Sequence, residues 1–104
     1  MGRQFDVFGN PTSSASAIPY VVVLQNDVLD QTESVLCAPL MPADEFAATS
    51  GGLNPIFVIK GQPHVLAPDQ MAPLPRRLLK GRVASLAAER DAVARAIDLL
   101  FFGI

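Results

Sequence analysis

The side chains that could carry out acid–base chemistry are few and poorly spaced. The chain has one histidine, His64, and the next carboxylate along the chain is Asp69, beyond Ala67 and Pro68. General acid–base catalysis needs a partner within hydrogen-bond reach of the reacting group. This pair matches no catalytic motif, and we expect His64 to be a solvated side chain on a hairpin.

The sequence also lacks the residues expected of a catalytic nucleophile, a metal site or a phosphate-binding loop. Cys37 is the only cysteine and lies among apolar residues, which favours a small buried hydrophobic side chain over a nucleophile. One histidine and one cysteine cannot furnish a metal site, and Gly51-Gly52 lacks the lysine and spacing of a phosphate-binding loop. We therefore expect no metal, no cofactor and no catalytic residue.

Charged residues are concentrated in two places. Four of the eight basic side chains lie within seven positions, namely Arg76, Arg77, Lys80 and Arg82. No aromatic residue is interleaved with them, so a solvated polar face is favoured over an RNA-binding surface. Asp44 and Glu45 follow Pro42 at the start of a predicted helical turn, where the helix dipole accounts for two carboxylates without catalysis.

The C-terminal sequence is the strongest local signal. Phe101 and Phe102 are adjacent and are followed by Gly103 and Ile104, whereas chain ends are usually polar and frayed. Adjacent residues of a helix point about 100° apart, so both rings cannot face one core. We expect at least one of them to be exposed and to act as an anchor for another protein.

The elements that would position these residues are short strands followed by one helix. Apolar and β-branched segments predict strands at 5–8, 20–24, 34–40, 55–59, 64–67 and 71–74. The strand at 20–24 is expected to be buried on both faces or strongly twisted. Pro39 is expected to end its strand or to lie on a sheet edge. Residues 55–67 predict a hairpin with a longer loop. One or two helical turns are predicted at 42–48, and an amphipathic helix capped by Ser85 at about 85–101. Strands followed by a helix indicate an α+β fold.

Length and composition exclude several classes of protein. With 104 residues, 50% hydrophobic and 17% charged, the chain predicts one folded domain, residues 1–104, rather than a disordered segment. Its net charge of -2 argues against direct nucleic-acid binding. The longest apolar runs are far shorter than the roughly 20 residues of a membrane span. The first residues have no apolar signal region, so we expect a cytoplasmic protein without membrane association.

Several segments, taken in order, resemble the CcdB family. The resemblance is carried by QFDVF (4–8), YVVVLQNDVLD (20–30), APL (38–40), NPIFVI (54–59), MAPLP (71–75) and RAIDLLFFGI (95–104). It covers essentially the whole chain, with a longer loop near residues 10–16. The terminal Phe-Gly-Ile is its most specific part.

The resemblance implies a fold, an activity and partners. CcdB-like proteins are small SH3-like β-barrels with a C-terminal helix that form two-fold homodimers. They act as toxins of type II toxin–antitoxin systems, which serve plasmid maintenance. They bind the A subunit of DNA gyrase, trap this topoisomerase on cleaved DNA, are neutralised by a CcdA-like antitoxin and catalyse nothing.

The resemblance also implies a gyrase-binding site. The corresponding positions in this chain are Val28, Leu29, Asp98, Phe101, Phe102, Gly103 and Ile104. Phe102 stands where the family typically has a tryptophan, and Asp98 where it has an asparagine. Phenylalanine still offers a π-face to a cation, while an aspartate can only accept hydrogen bonds.

Two other functions remain open from the residues alone. A MazF-type endoribonuclease toxin would share the barrel and would have to use His64, Asp69 and the basic residues from Arg76 to Arg82 around RNA. An attenuated relative of CcdB would bind an antitoxin without acting on gyrase.

Overall fold

The computed structural model describes residues 3–45 and 52–104. Within these ranges an antiparallel sheet forms a nearly closed barrel, with one C-terminal helix beside it. The elements are β1 (Asp6–Gly9), β2 (Tyr20–Val23), β3 (Ser34–Pro42), β4 (Ile56–Ile59), β5 (Gln62–Leu66), β6 (Ala72–Pro75), β7 (Ala84–Ser85) and α1 (Arg90–Phe102). The strand order is β4-β5-β3-β2-β1-β7, and β6 also pairs with β3. The predicted α+β fold is confirmed.

The centre of the sheet is buried on both faces. Along β2, Val22 belongs to the cluster that also contains Leu40 and Val93, the latter contributed by α1. Val21 and Val23 belong to a second cluster on the opposite face, which includes Leu79. Successive strand residues point to opposite faces, so an unbroken valine run supplies both clusters. This confirms the expectation of a doubly buried strand at 20–24.

Pro39 lies inside β3, and the prediction that it ends the strand or lies on a sheet edge is wrong. It pairs with Val21 on one side. On the other side, β6 pairs with β3 only up to Cys37 and β5 only from Leu40 onward. The Pro39 carbonyl accepts from the Ala67 amide at 3.1 Å in this gap. The nitrogen and the carbonyl of a strand residue point to the same side of the strand. The position of the N–H that proline lacks therefore faces this gap, where neither β5 nor β6 pairs with β3.

The hairpin between β4 and β5 is tight, in contrast to the longer loop predicted. Ile59 pairs with Gln62, leaving Lys60 and Gly61 as a two-residue connection. Both have positive φ, 54° and 77° respectively. That is the requirement of the turn type that matches the twist of the flanking strands. The sequence did not indicate this turn, because a lysine rarely adopts the left-handed conformation that the first turn position requires.

The first strand begins one residue later than predicted because Phe5 has a φ of 71°. Its amide nevertheless donates to the Val23 carbonyl at 2.7 Å, and its carbonyl accepts from the Leu86 amide at 2.8 Å. The buried ring also has the Arg90 guanidinium 5.9 Å from its centroid. These contacts hold a conformation that is unusual for a bulky residue.

Both predicted helices begin differently in the structure. Ser85 belongs to β7, an unpredicted two-residue strand paired with β1, and a 3-10 turn at Ala87–Glu89 precedes α1. The Ser85 hydroxyl accepts from the Ala87 amide, but the N-cap of the 3-10 turn is Leu86 and that of α1 is Glu89, so the predicted cap is wrong. In the 42–48 segment, Pro42 ends β3 and a 3-10 turn covers Ala43–Glu45. The remainder, 46–48, lies outside the described residues.

Candidate partner-binding site

The end of α1 carries the most exposed aromatic side chains of the described residues. Phe101 is 60% exposed, Phe102 73% and Ile104 82%. The two phenylalanine rings lie 6.4 Å apart between centroids, tilted by 52°. We call these three residues the terminal patch. Both rings are exposed, which confirms the expectation that at least one of them is.

The terminal patch extends from a helix that is anchored one to two turns earlier. Val93 and Ala96 are fully buried, while Ile97, Leu99 and Leu100 are only partly covered. Gly103 then has a φ of 72°, and its amide donates to the Leu99 carbonyl at 3.0 Å. This left-handed glycine ends the helix in the manner typical of a C-terminal cap. The helix therefore holds the rings at a defined place without burying them.

Asp98 is exposed on the same helix, four positions before Phe102. Residues at this spacing lie on one helix face, so the carboxylate projects beside the Phe102 ring. An anionic oxygen next to an exposed π-face suits a partner cation, and above all the planar guanidinium of an arginine.

Val28 and Leu29 form a second exposed apolar site, on a 3-10 turn at Asp27–Leu29. Their side chains are 80% and 53% exposed. The Asn26 carboxamide oxygen accepts from the Val28 amide at 2.9 Å, and its carbonyl accepts from the Leu29 amide at 3.0 Å. At the start of the turn, Asp27 accepts from the Gln4 amide at 2.7 Å. The turn is thus firmly built although its two apolar side chains are not packed.

The two apolar sites lie on different elements, one at the end of α1 and one on the turn at Asp27–Leu29. Helix α1 lies against the turns at Pro68–Gln70 and Ala87–Glu89. Asn26 and Asp27 fix the second site through their hydrogen bonds to backbone amides. An Asn-Asp pair is itself a turn signal, because short polar side chains bond neighbouring amides.

His64 is buried, so the expectation of a solvated hairpin histidine is wrong. It lies opposite Phe57 on one side and Pro42 on the other, because β5 is an interior strand between β4 and β3. Its Nδ1–H donates to the Gln62 carbonyl at 2.9 Å, and the Tyr20 ring packs edge-on at 5.2 Å between centroids. The ring therefore has the environment of a core residue.

The basic cluster is divided by contacts within the chain. Arg82 forms an ion pair with the buried Asp6 at 3.4 Å. Arg76 is half-buried and donates to backbone carbonyls of the 27–32 loop. Arg77 and Lys80 are exposed. Two of the four cations, Arg76 and Arg82, therefore already have acceptors within the chain.

Cys37 is buried in the second core cluster, as the sequence predicts. Burial raises the pKa of its thiol to about 11, against a smaller lowering by the nearby Arg76 cation. Because the thiolate is the reactive form, we expect native Cys37 to alkylate about 100-fold more slowly at pH 8 than in urea. Timed labelling with iodoacetamide and mass spectrometry would measure this ratio. Equal rates in the two states would show that the thiol is accessible.

The described residues also limit other kinds of site. Residues 3–45 and 52–104 contain no group of three or more histidine, cysteine or acidic side chains placed to hold a metal ion. Nor does any helix in these ranges have the length and apolar character needed to cross a membrane.

Comparison with known proteins identifies the family. No curated protein matches the chain. The family model described as CcdB protein matches residues 4–103, nearly the full length. The match agrees with the barrel and the C-terminal helix described above. The chain therefore belongs to the CcdB family of toxins.

Proposed function

We propose that this protein binds the A subunit of DNA gyrase and traps the enzyme on cleaved DNA. The observation that carries the proposal is the terminal patch, two aromatic rings held by a capped helix and left outside the core. Family membership supports the same target. The protein would act by binding and would catalyse nothing itself, in the cytoplasm where gyrase operates.

The chemistry of the patch suits a protein target. Aromatic side chains are enriched among the residues that dominate binding energy, and Phe102 keeps its full ring available. Asp98 adds an acceptor next to that ring for an arginine of the target. Val28 and Leu29 supply further apolar area on a firm turn. We place the gyrase-binding site on these residues together with Phe101, Gly103 and Ile104.

We further propose that the protein acts as a homodimer. A two-fold pair of chains would present two copies of each apolar site, which suits a target that is itself symmetric. Exposed Ile56 and Val58 on β4 add to the apolar surface of one chain. Light scattering should give twice the 11.1 kDa mass of the chain. A mass of 11.1 kDa at micromolar concentration would contradict the dimer.

The decisive experiment combines binding and poisoning. Purified protein should bind the gyrase A subunit in calorimetry at fixed salt, and should make gyrase accumulate cleaved plasmid DNA. Addition of a CcdA-like antitoxin should reverse both effects. Failure to bind gyrase, with antitoxin binding retained, would instead identify an attenuated relative. Sequence-selective RNA cleavage that is lost in His64→Ala would identify an endoribonuclease.

A further inference from the structure

The loop of residues 27–32 is held by hydrogen bonds from a residue that is distant in sequence. Arg76 Nε donates to the Thr32 carbonyl at 2.9 Å. Its Nη2 donates to the Leu29 carbonyl at 3.3 Å and to the Thr32 hydroxyl at 3.1 Å. One guanidinium therefore joins two backbone positions of the loop, one of them in Leu29 itself.

The position of Arg76 is fixed by its own backbone. Its amide donates to the Glu33 carbonyl at 2.7 Å, directly after β6 ends at Pro75. Strand β6 pairs with β3 from Ser34 onward, so the sheet register places Arg76 beside the end of the loop. The planar fork of an arginine is well suited to bridge several oxygen acceptors at once.

A second side chain completes the support. Gln25 Nε2 donates to the Leu29 carbonyl at 3.0 Å and to the Thr32 hydroxyl at 2.8 Å. Gln25 precedes the loop, and Arg76 reaches it from 44 to 47 positions away. Because Val28 and Leu29 are exposed, the loop gains little order from apolar packing. Its conformation depends instead on these polar contacts and on the Asp27 anchor.

We propose that Arg76 is a positioning residue for target binding, which holds the loop so that Val28 and Leu29 face the partner in one conformation. The inference rests on the proposed gyrase-binding function. Binding to a loop that is already ordered avoids the entropy cost of ordering it at the interface. Arg76 would thus act through Val28 and Leu29 without touching the target.

The first experiment measures loop order without any partner. The Val28 and Leu29 amides are both hydrogen-bonded to Asn26, so their exchange with deuterium reports opening of the turn. In Arg76→Ala we expect this exchange to become about tenfold faster, with the Gly103 amide unchanged. Arg77→Ala removes the same charge from the neighbouring exposed position and should leave the exchange unaltered. Equal exchange in Arg76→Ala and the wild-type protein would overturn the inference.

The second experiment measures affinity for the gyrase A subunit. We expect Arg76→Ala to weaken binding about fivefold, Arg76→Lys to recover part of the loss, and Arg77→Ala to have little effect. In a Val28→Ala/Leu29→Ala background the same Arg76→Ala change should cost less than about twofold, because both side chains that it positions are gone. A full loss in both backgrounds would show that Arg76 does not act through Val28 and Leu29, and would contradict the inference.

The two readouts separate this inference from the function on which it rests. If the wild-type protein does not bind gyrase, the proposed function fails, and the role in target binding fails with it. The exchange data would still decide whether Arg76 holds the loop. If gyrase binds and loop exchange is unchanged by Arg76→Ala, only the positioning role fails.

Discussion

Removal of Phe102, Gly103 and Ile104 is expected to abolish gyrase binding and growth arrest while leaving a folded protein. The deletion removes the most exposed ring and the cap of α1 but no core residue. Loss of a central aromatic anchor costs at least about 2 kcal/mol of binding free energy, and loss of the exposed Ile104 side chain adds to this. We therefore expect affinity to fall by about 100-fold or more, measured by calorimetry.

A point substitution provides the matched control for this deletion. Phe102→Trp restores the family's usual residue and the better cation partner, so it should keep or increase the affinity. Circular dichroism and thermal unfolding of all variants would show whether the barrel is intact. Growth arrest by the truncated but folded chain would contradict the site assignment.

Replacement of Leu40 by alanine is expected to lower the free energy of unfolding by about 2–5 kcal/mol. Leu40 is fully buried and belongs to the larger core cluster. It also lies in β3 where that strand pairs with β2 on one side and β5 on the other. A cavity here cannot be filled by a loop, because strands border it on both sides.

The control for Leu40→Ala is the same change at an exposed leucine. Leu29→Ala removes equal side-chain volume from the 27–32 loop and should change stability by less than about 0.5 kcal/mol. Urea unfolding followed by circular dichroism gives both values. A similar small effect at the two positions would show that the core is not packed as described.

The fold followed from the sequence wherever periodicity and residue type agreed. The valine run of β2 and the apolar stripe of α1 each predict one structure, and each was confirmed. Cys37 likewise lies in the core, as its apolar neighbours indicate. The chemistry of the terminal patch was visible for the same reason, since neighbouring helix residues cannot share one buried face.

The errors arose where a tertiary contact decided the outcome. Pro39 is tolerated inside β3 because two other strands leave a gap at its nitrogen, which no local pattern reveals. His64 is buried because β5 became an interior strand, although a lone histidine near a turn suggests exposure. The sequence groups Arg76 with its charged neighbours, whereas its guanidinium donates to a loop more than forty positions earlier. The gyrase-binding residues stay a prediction.

The pairing of β1 with β7 has a consequence for how quickly the barrel can close. Asp6 pairs with Ser85, so the sheet joins two segments that are far apart in the sequence. Proteins with such distant pairings fold slowly, in roughly milliseconds to seconds, because the entropy cost of closing a long loop comes before the stabilising contacts form. At about 5–20 residues per second of translation, β1 waits several seconds for its partner strand to be made. A ribosome that makes this chain therefore holds an unfinished barrel until β7 has emerged from it.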